Sequence, residues 1–171
     1  MLTLAALNGM QRAEFVATLG GIFEHSPWIA EAVAPTRPFA SIEALHAAMV
    51  AAVTAASKAQ QLDLIQAHPD LAGRAARAGT LTADSTREQS SVGLDRLSEE
   101  EYERFNRLNT AYRERFGFPF IICVRKTDKA GIFRAYEQRV QHDRESEIAC
   151  ALSEIGEIAR LRLAALLAPG D

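Results

Sequence analysis

The sequence predicts an all-α protein, and three observations carry that expectation. Alanine, leucine, glutamate and arginine, which all favour helix, dominate the composition. Most windows place apolar residues three or four apart, and strict alternation over five or more residues is nearly absent. The chain has 171 residues, 48% of them hydrophobic and 7% aromatic, which suits one compact domain over 1–171 with a core that needs no metal or disulfide staple.

The elements follow in order, and seven or eight helices are expected. The first spans Asn8 to Phe23, with Phe15, Val16, Leu19 and Ile22 on one face. The proline-rich stretch HSPWIAEAVAPTRPF then reads as a loop over the core. Ser41 caps a helix with the stripe Leu45, Met49, Ala52, Val53 and Ala56, and a further helical stretch leads through Leu62 and Ile65 to His68, where Pro69 stops it. Asp70 is placed to cap a short helix closing near Gly79, and TADSTREQSSVGL supplies another short helix or turn.

Ser98-Glu99-Glu100-Glu101 is a capping box opening a long helix through Tyr102, Phe105, Leu108, Asn109 and Tyr112 to Gly117. Two more helices follow, from Asp128 to about His142 and from Asp143 to about Ala168. Between them and the long helix lies FGFPFIICV, residues 116–124, too short, too aromatic and too β-branched for an amphipathic helix. It is expected to be extended and buried.

Composition excludes several classes of function. Nineteen basic and 22 acidic residues are interspersed for a net charge of −3, which argues against nucleic acid as a partner. No window approaches 18 uninterrupted apolar residues, the N-terminal stretch lacks the pattern of a secretory leader, and the ending LLAPGD matches neither a peroxisomal signal nor a prenylation box. No membrane partner and a cytoplasmic location are the resulting expectations. Cys123 and Cys150 sit in apolar company without CxxC spacing and read as buried free thiols. His25, His46 and His142 show no metal-ligand spacing, so no metal is expected, and the sequence has no phosphate loop, GxGxxG or GxSxG motif.

Three residues remain as candidates for chemistry. His68 precedes a proline, which pushes it out of helical geometry, so its ring projects from a helix end either as a cap on the last carbonyls or as a titratable group in a site. Ser85-Thr86-Arg87-Glu88 reads either as a capping box or as part of such a site. In the last helix, Ile148, Leu152, Ile155, Ala159 and Leu166 share a side on which Arg162 also falls, whereas Arg160 does not. A guanidinium in that sector needs a buried carboxylate, backbone carbonyls or an anionic ligand.

The blocks FEHSPWIAE, AHPDLAG, STREQSSVGL, LNTAYRERFGFPFIICVR, YEQRV and EIARLRL occur in this order, from about Phe23 to Leu163. In them the sequence resembles the 2-oxo-4-hydroxy-4-carboxy-5-ureidoimidazoline (OHCU) decarboxylase family. The resemblance implies an all-helical homodimer of urate degradation that acts on a small ureidoimidazoline, needs no cofactor, and releases carbon dioxide to give (S)-allantoin. It puts the family's catalytic histidine on His68 and its glutamate on Glu88, and its arginine falls in EIARLRL, where the helical face selects Arg162. It also implies substrate contacts from Pro69, Ser85 and Gln89 and from the backbone of Phe120, Ile121, Ile122, Cys123 and Val124. A non-enzymatic helical module binding a ureide or purine derivative is the alternative.

Overall fold

The computed structural model describes residues 2–167; the expected end of the last helix at Ala168 and the closing residues of LLAPGD lie outside them. The described residues form ten α-helices and two 3-10 turns, and their one β-bridge, Leu2 with Leu167, is isolated. The protein is therefore all-α, divided more finely than the seven or eight helices expected. Two compact units are present: Met1–Ala67 with Gly156–Asp171, and His68–Ile155.

In the first unit, α1 (Leu4–Gly9) is capped by Thr3, whose hydroxyl accepts from the Ala6 N–H at 3.1 Å. Met10 then turns extended (φ −64°, ψ 149°), and α2 spans Arg12–Leu19. Of the helix expected over Asn8–Phe23, the first two residues instead close α1, and α2 covers only Arg12–Leu19, with the residues after Leu19 outside helix. The 25–39 stretch is not wholly a loop either, because it holds α3 (Trp28–Val33) and a 3-10 turn, Ala34–Thr36. Pro27 sits at the N-cap of α3 and Pro35 in the first residues of the turn, positions where a missing N–H breaks no helical hydrogen bond. Prolines here start structure instead of preventing it.

Ser41 caps α4 (Ile42–Ala55) as expected, and Leu45, Met49 and Val53 bury its stripe. The next helix, α5 (Lys58–Gln66), opens on a Ser57–Gln60 capping box and ends with Ala67 as C-cap. His46 Nε2 donates to the Gly156 carbonyl at 2.8 Å.

In the second unit, α6 (Arg74–Ala78) ends on left-handed Gly79 as expected. Its N-cap is Gly73 and not Asp70, whose carboxylate accepts from Arg113 Nε at 2.9 Å instead. Next come α7 (Ala83–Ser91) and α8 (Glu99–Phe116), the latter with the predicted Ser98–Glu101 box and with Gly117 (φ +81°) as its stop. After α9 (Lys129–Arg139), which stops three residues before the expected His142, comes α10 (Arg144–Leu166). Asp143 caps α10 through the Ser146 N–H at 2.8 Å.

The core of this unit is aromatic. Phe120 stacks on Tyr136 at 3.7 Å between centroids, and Tyr112 meets Phe116 and Phe120 edgewise or tilted at 4.6 and 5.2 Å. Burying each such ring is worth roughly 1.5–3 kcal/mol. These contacts hold residues 118–123 as the non-helical buried run expected from the sequence, although Ile122 is only half-buried and Val124 opens a 3-10 turn, Val124–Lys126. Along α10 the buried side is Glu147, Ala151, Ile155, Ala159, Arg162 and Leu163, a stripe rotated from the expected one, with Ile148, Leu152 and Leu166 at its half-buried margin.

Candidate active site

His68 is the second residue past α5, and its ring is buried, with 7% of the residue exposed. The bend that carries it, His68–Gly73, is tied down by three side chains. Gln89 Oε1 accepts from the Ala72 N–H at 2.9 Å while its Nε2 donates to the Asp70 carbonyl at 3.5 Å. Asn109 Nδ2 donates to the Leu71 carbonyl at 2.9 Å, and Arg113 pairs with Asp70. Ala72 sits at φ +51°, a left-handed conformation that a non-glycine residue holds only when its surroundings impose it. Gly73 allows the tight turn, since a Cβ there would stand 2.9 Å from the Asp70 Cβ.

Ser85, Glu88 and Gln89 lie on one face of α7, and the Gln89 anchor turns that face toward the bend. Thr82, not Ser85, is the N-cap of α7, accepting from the Ser85 N–H at 3.3 Å. The capping-box reading of Ser85 and Glu88 is therefore corrected: both are interior helical residues, Ser85 buried and Glu88 half-buried. Gln89, expected among the substrate contacts, is thus set in the same face by bonds to the bend that use one donor and one acceptor position of its amide. Pro69 is half-buried at the start of that bend.

The 120–124 segment is gripped through its backbone. Arg139 Nη1 donates to the Ile121 carbonyl at 2.6 Å, and the Cys123 N–H donates to Glu154 Oε2 at 2.8 Å. Arg139 also lies over the Phe120 ring, 4.3 Å from its centroid, and pairs with fully buried Glu147 through Nε at 3.0 Å. Glu147 further accepts from the Tyr112 hydroxyl and sits 2.8 Å from His142 Nδ1. Burial, reinforced by the bond to Glu147, pushes the Tyr112 hydroxyl far above the ordinary phenol range. For Arg139, burial opposes the charge, but the Glu147 carboxylate outweighs it and raises the pKa.

Arg162 belongs to the first unit and is buried as its position on the helix predicts. Its Nη1 donates to Glu24 Oε2 at 2.8 Å and lies 3.4 Å from the carbonyls of Gly21 and Ile22. Both a buried carboxylate and backbone carbonyls are thus present, while Arg160 is exposed beside Glu157. Cys123 is buried, but Cys150 is only half-buried, short of the burial expected, and burial raises its thiol pKa. Among the described residues no three His, Cys, Asp or Glu side chains gather to hold a metal ion, and no helix is long and apolar enough to cross a membrane.

Compared with known proteins, residues 8–164 match the family model described as OHCU decarboxylase. The chain belongs to the OHCU decarboxylase family. It is 47% identical over 163 residues to the 2-oxo-4-hydroxy-4-carboxy-5-ureidoimidazoline decarboxylase of Haloferax volcanii, covering 95% of each chain. The Bacillus subtilis uric acid degradation bifunctional protein PucL is 46% identical over 167 residues, which span 98% of this chain and 33% of PucL. A crystal structure of (S)-allantoin synthase superposes with a TM-score of 0.78 at 37% identity, over 98% of this chain and 54% of that one.

Within this OHCU decarboxylase chain, sequence reasoning missed Asn109, Arg113, Arg139, Glu147 and Glu154. Glu24 was missed as the partner of Arg162. Arg139 and Glu147 belong to different helices, so no helical period links them. The one available signal was Glu147 itself, a carboxylate on the inward side of α10 that demands a buried cation.

Proposed function

We propose that this chain decarboxylates 2-oxo-4-hydroxy-4-carboxy-5-ureidoimidazoline to (S)-allantoin in urate degradation. The observation that carries the reading is the fastening of the His68 bend by Gln89, which sets a buried imidazole on a loop held against the Ser85–Glu88–Gln89 face of α7. The near full-length likeness to relatives named for this reaction supplies the substrate.

The chemistry asks little of a protein beyond placement and a proton. As the bond to the carboxylate breaks, its electron pair moves into the ring, where the neighbouring C=N accepts it; no cofactor is needed as electron sink. The carbon of that C=N then takes a proton while the ring hydroxyl passes its own to the ring nitrogen and becomes a carbonyl, and the face that receives the proton sets the hand of allantoin. His68 donates that proton, general acid–base work for which imidazole is the side chain most often used. Glu88 orients the imidazole or accepts from ureido N–H groups. Ser85, Gln89, Pro69 and the Phe120 to Val124 backbone contact the planar ligand, and Arg162 acts as the family's site arginine. The working form is a cytoplasmic homodimer of single-domain subunits, its mass measurable by light scattering.

Generating the substrate in situ from urate, with urate oxidase and 5-hydroxyisourate hydrolase, tests the reading. The chain should speed loss of the intermediate and give optically active allantoin. No acceleration over buffer, with allantoin forming as the racemate, rules the proposal out.

A further inference from the structure

We propose that Arg139 and Glu154 are positioning residues that occupy one edge of the 120–124 backbone, so that the opposite edge, the N–H and C=O of Ile122, is the one offered to the substrate. This rests on the decarboxylase reading above.

In extended backbone a residue's N–H and C=O point to the same side, and those of its neighbour point to the other. Arg139 takes the Ile121 carbonyl and Glu154 takes the Cys123 N–H, residues two apart and hence on the same side. The two grips come from different helices, α9 and α10, so the segment is fixed in register as well as in facing. Arg139 has little freedom to do otherwise. Its Nε is held by a carboxylate with no exposed surface, and its guanidinium is stacked on Phe120. Ile122 is also the one half-buried residue between buried Phe118 and Val124, and its own N–H and C=O face away from the two grips. A planar ligand with alternating carbonyls and N–H groups matches a single peptide edge that offers one donor and one acceptor.

Glu154→Ala removes the acceptor for the Cys123 amide, whereas Glu154→Gln keeps a side-chain oxygen there. Glu154→Ala should raise KM about tenfold with little change in kcat, the size of effect expected when a charge-assisted hydrogen bond that fixes a binding edge is lost. Glu154→Gln should restore KM to near the wild-type value. A purely structural role would lower the melting temperature and the active fraction without moving KM. An unchanged KM in Glu154→Ala overturns the proposal.

The edge itself is read by amide NMR on the wild-type chain titrated with (S)-allantoin. The Ile122 amide should shift with ligand while the Cys123 amide stays, and Cys123 exchange should quicken in Glu154→Ala. The reverse pattern, with Cys123 shifting and Ile122 still, overturns the assignment. Turnover by the wild-type chain is scored separately, so loss of the decarboxylase reading and loss of the edge assignment give different results.

Discussion

The side-chain oxygen of Gln89 accepts the Ala72 N–H at 2.9 Å, joining the middle of α7 to the bend that begins at His68. Ala72 is buried and holds a left-handed φ, so this bond supports a conformation that local sequence alone disfavours. Gln89→Leu should leave that N–H without its acceptor and destabilise the protein by roughly 1–3 kcal/mol. Urea unfolding measures the loss, and activity should fall more steeply than stability because His68 is carried on the freed bend.

His68→Asn preserves a polar side chain of similar reach but no longer donates a titrating proton. Turnover should drop about 10²- to 10⁴-fold, the usual worth of general acid catalysis, with the unfolding midpoint little changed. Wild-type turnover in this variant would restrict His68 to a structural role.

Glu88→Gln and Glu88→Ala separate charge from helix formation. Because Thr82 and not Ser85 caps α7, neither change touches a capping box, and helicity by circular dichroism should stay constant in both. Both should lose activity to a similar extent if the carboxylate charge is what matters. An active Glu88→Gln would show that hydrogen bonding suffices.

Arg162→Lys keeps a positive charge opposite Glu24 but lacks the planar fork that reaches both a carboxylate and backbone carbonyls. Activity should fall in kcat as well as KM, and Arg160→Lys, on an exposed i,i+3 pair, should be silent. Arg162→Met should cost more stability than Arg162→Lys, because it removes the cation from beside a buried Glu24 carboxylate. Thermal unfolding of the two variants side by side checks the order.

Hydrogen bonds from the Ser146 N–H and hydroxyl hold the Asp143 carboxyl below the usual carboxylate range. A group whose folded pKa is lowered adds stability above its unfolded pKa and loses that contribution as pH falls through the folded pKa. Asp143→Asn retains a capping oxygen without the titration, so its urea midpoint should fall less than the wild-type midpoint on acidification from pH 5 to pH 2. Parallel curves would remove Asp143 from the acid response.

Much of this protein is written locally. Ser41, Ser98 and Asp128 cap where their side chains predict, and Gly79 and Gly117 stop helices through positive φ. The break after α1 is harder to read because alanine-rich sequence on either side favours helix equally, and what decides it is the extended Met10 between two separate starts. Ser85-x-x-Glu88 has the form of a cap, but Thr82, three residues earlier, reaches the Ser85 N–H first. The inward position of Arg162 follows from helical period alone. Glu24 as its partner does not, since 138 residues separate the two and only the folded chain pairs them.

Arg139 and Glu154 hold main-chain atoms of Ile121 and Cys123, not their side chains. Hydrogen bonds to a peptide group are blind to the identity of the residue that bears it. Mutational drift at positions 121 and 123 is therefore filtered by volume and shape: Ile121→Val or Cys123→Ala should leave the path of the chain where it is, whereas a proline at 123, which has no N–H to give, should not be tolerated. Descendants of this sequence can rewrite the letters at 121 and 123 while inheriting the trajectory of the segment.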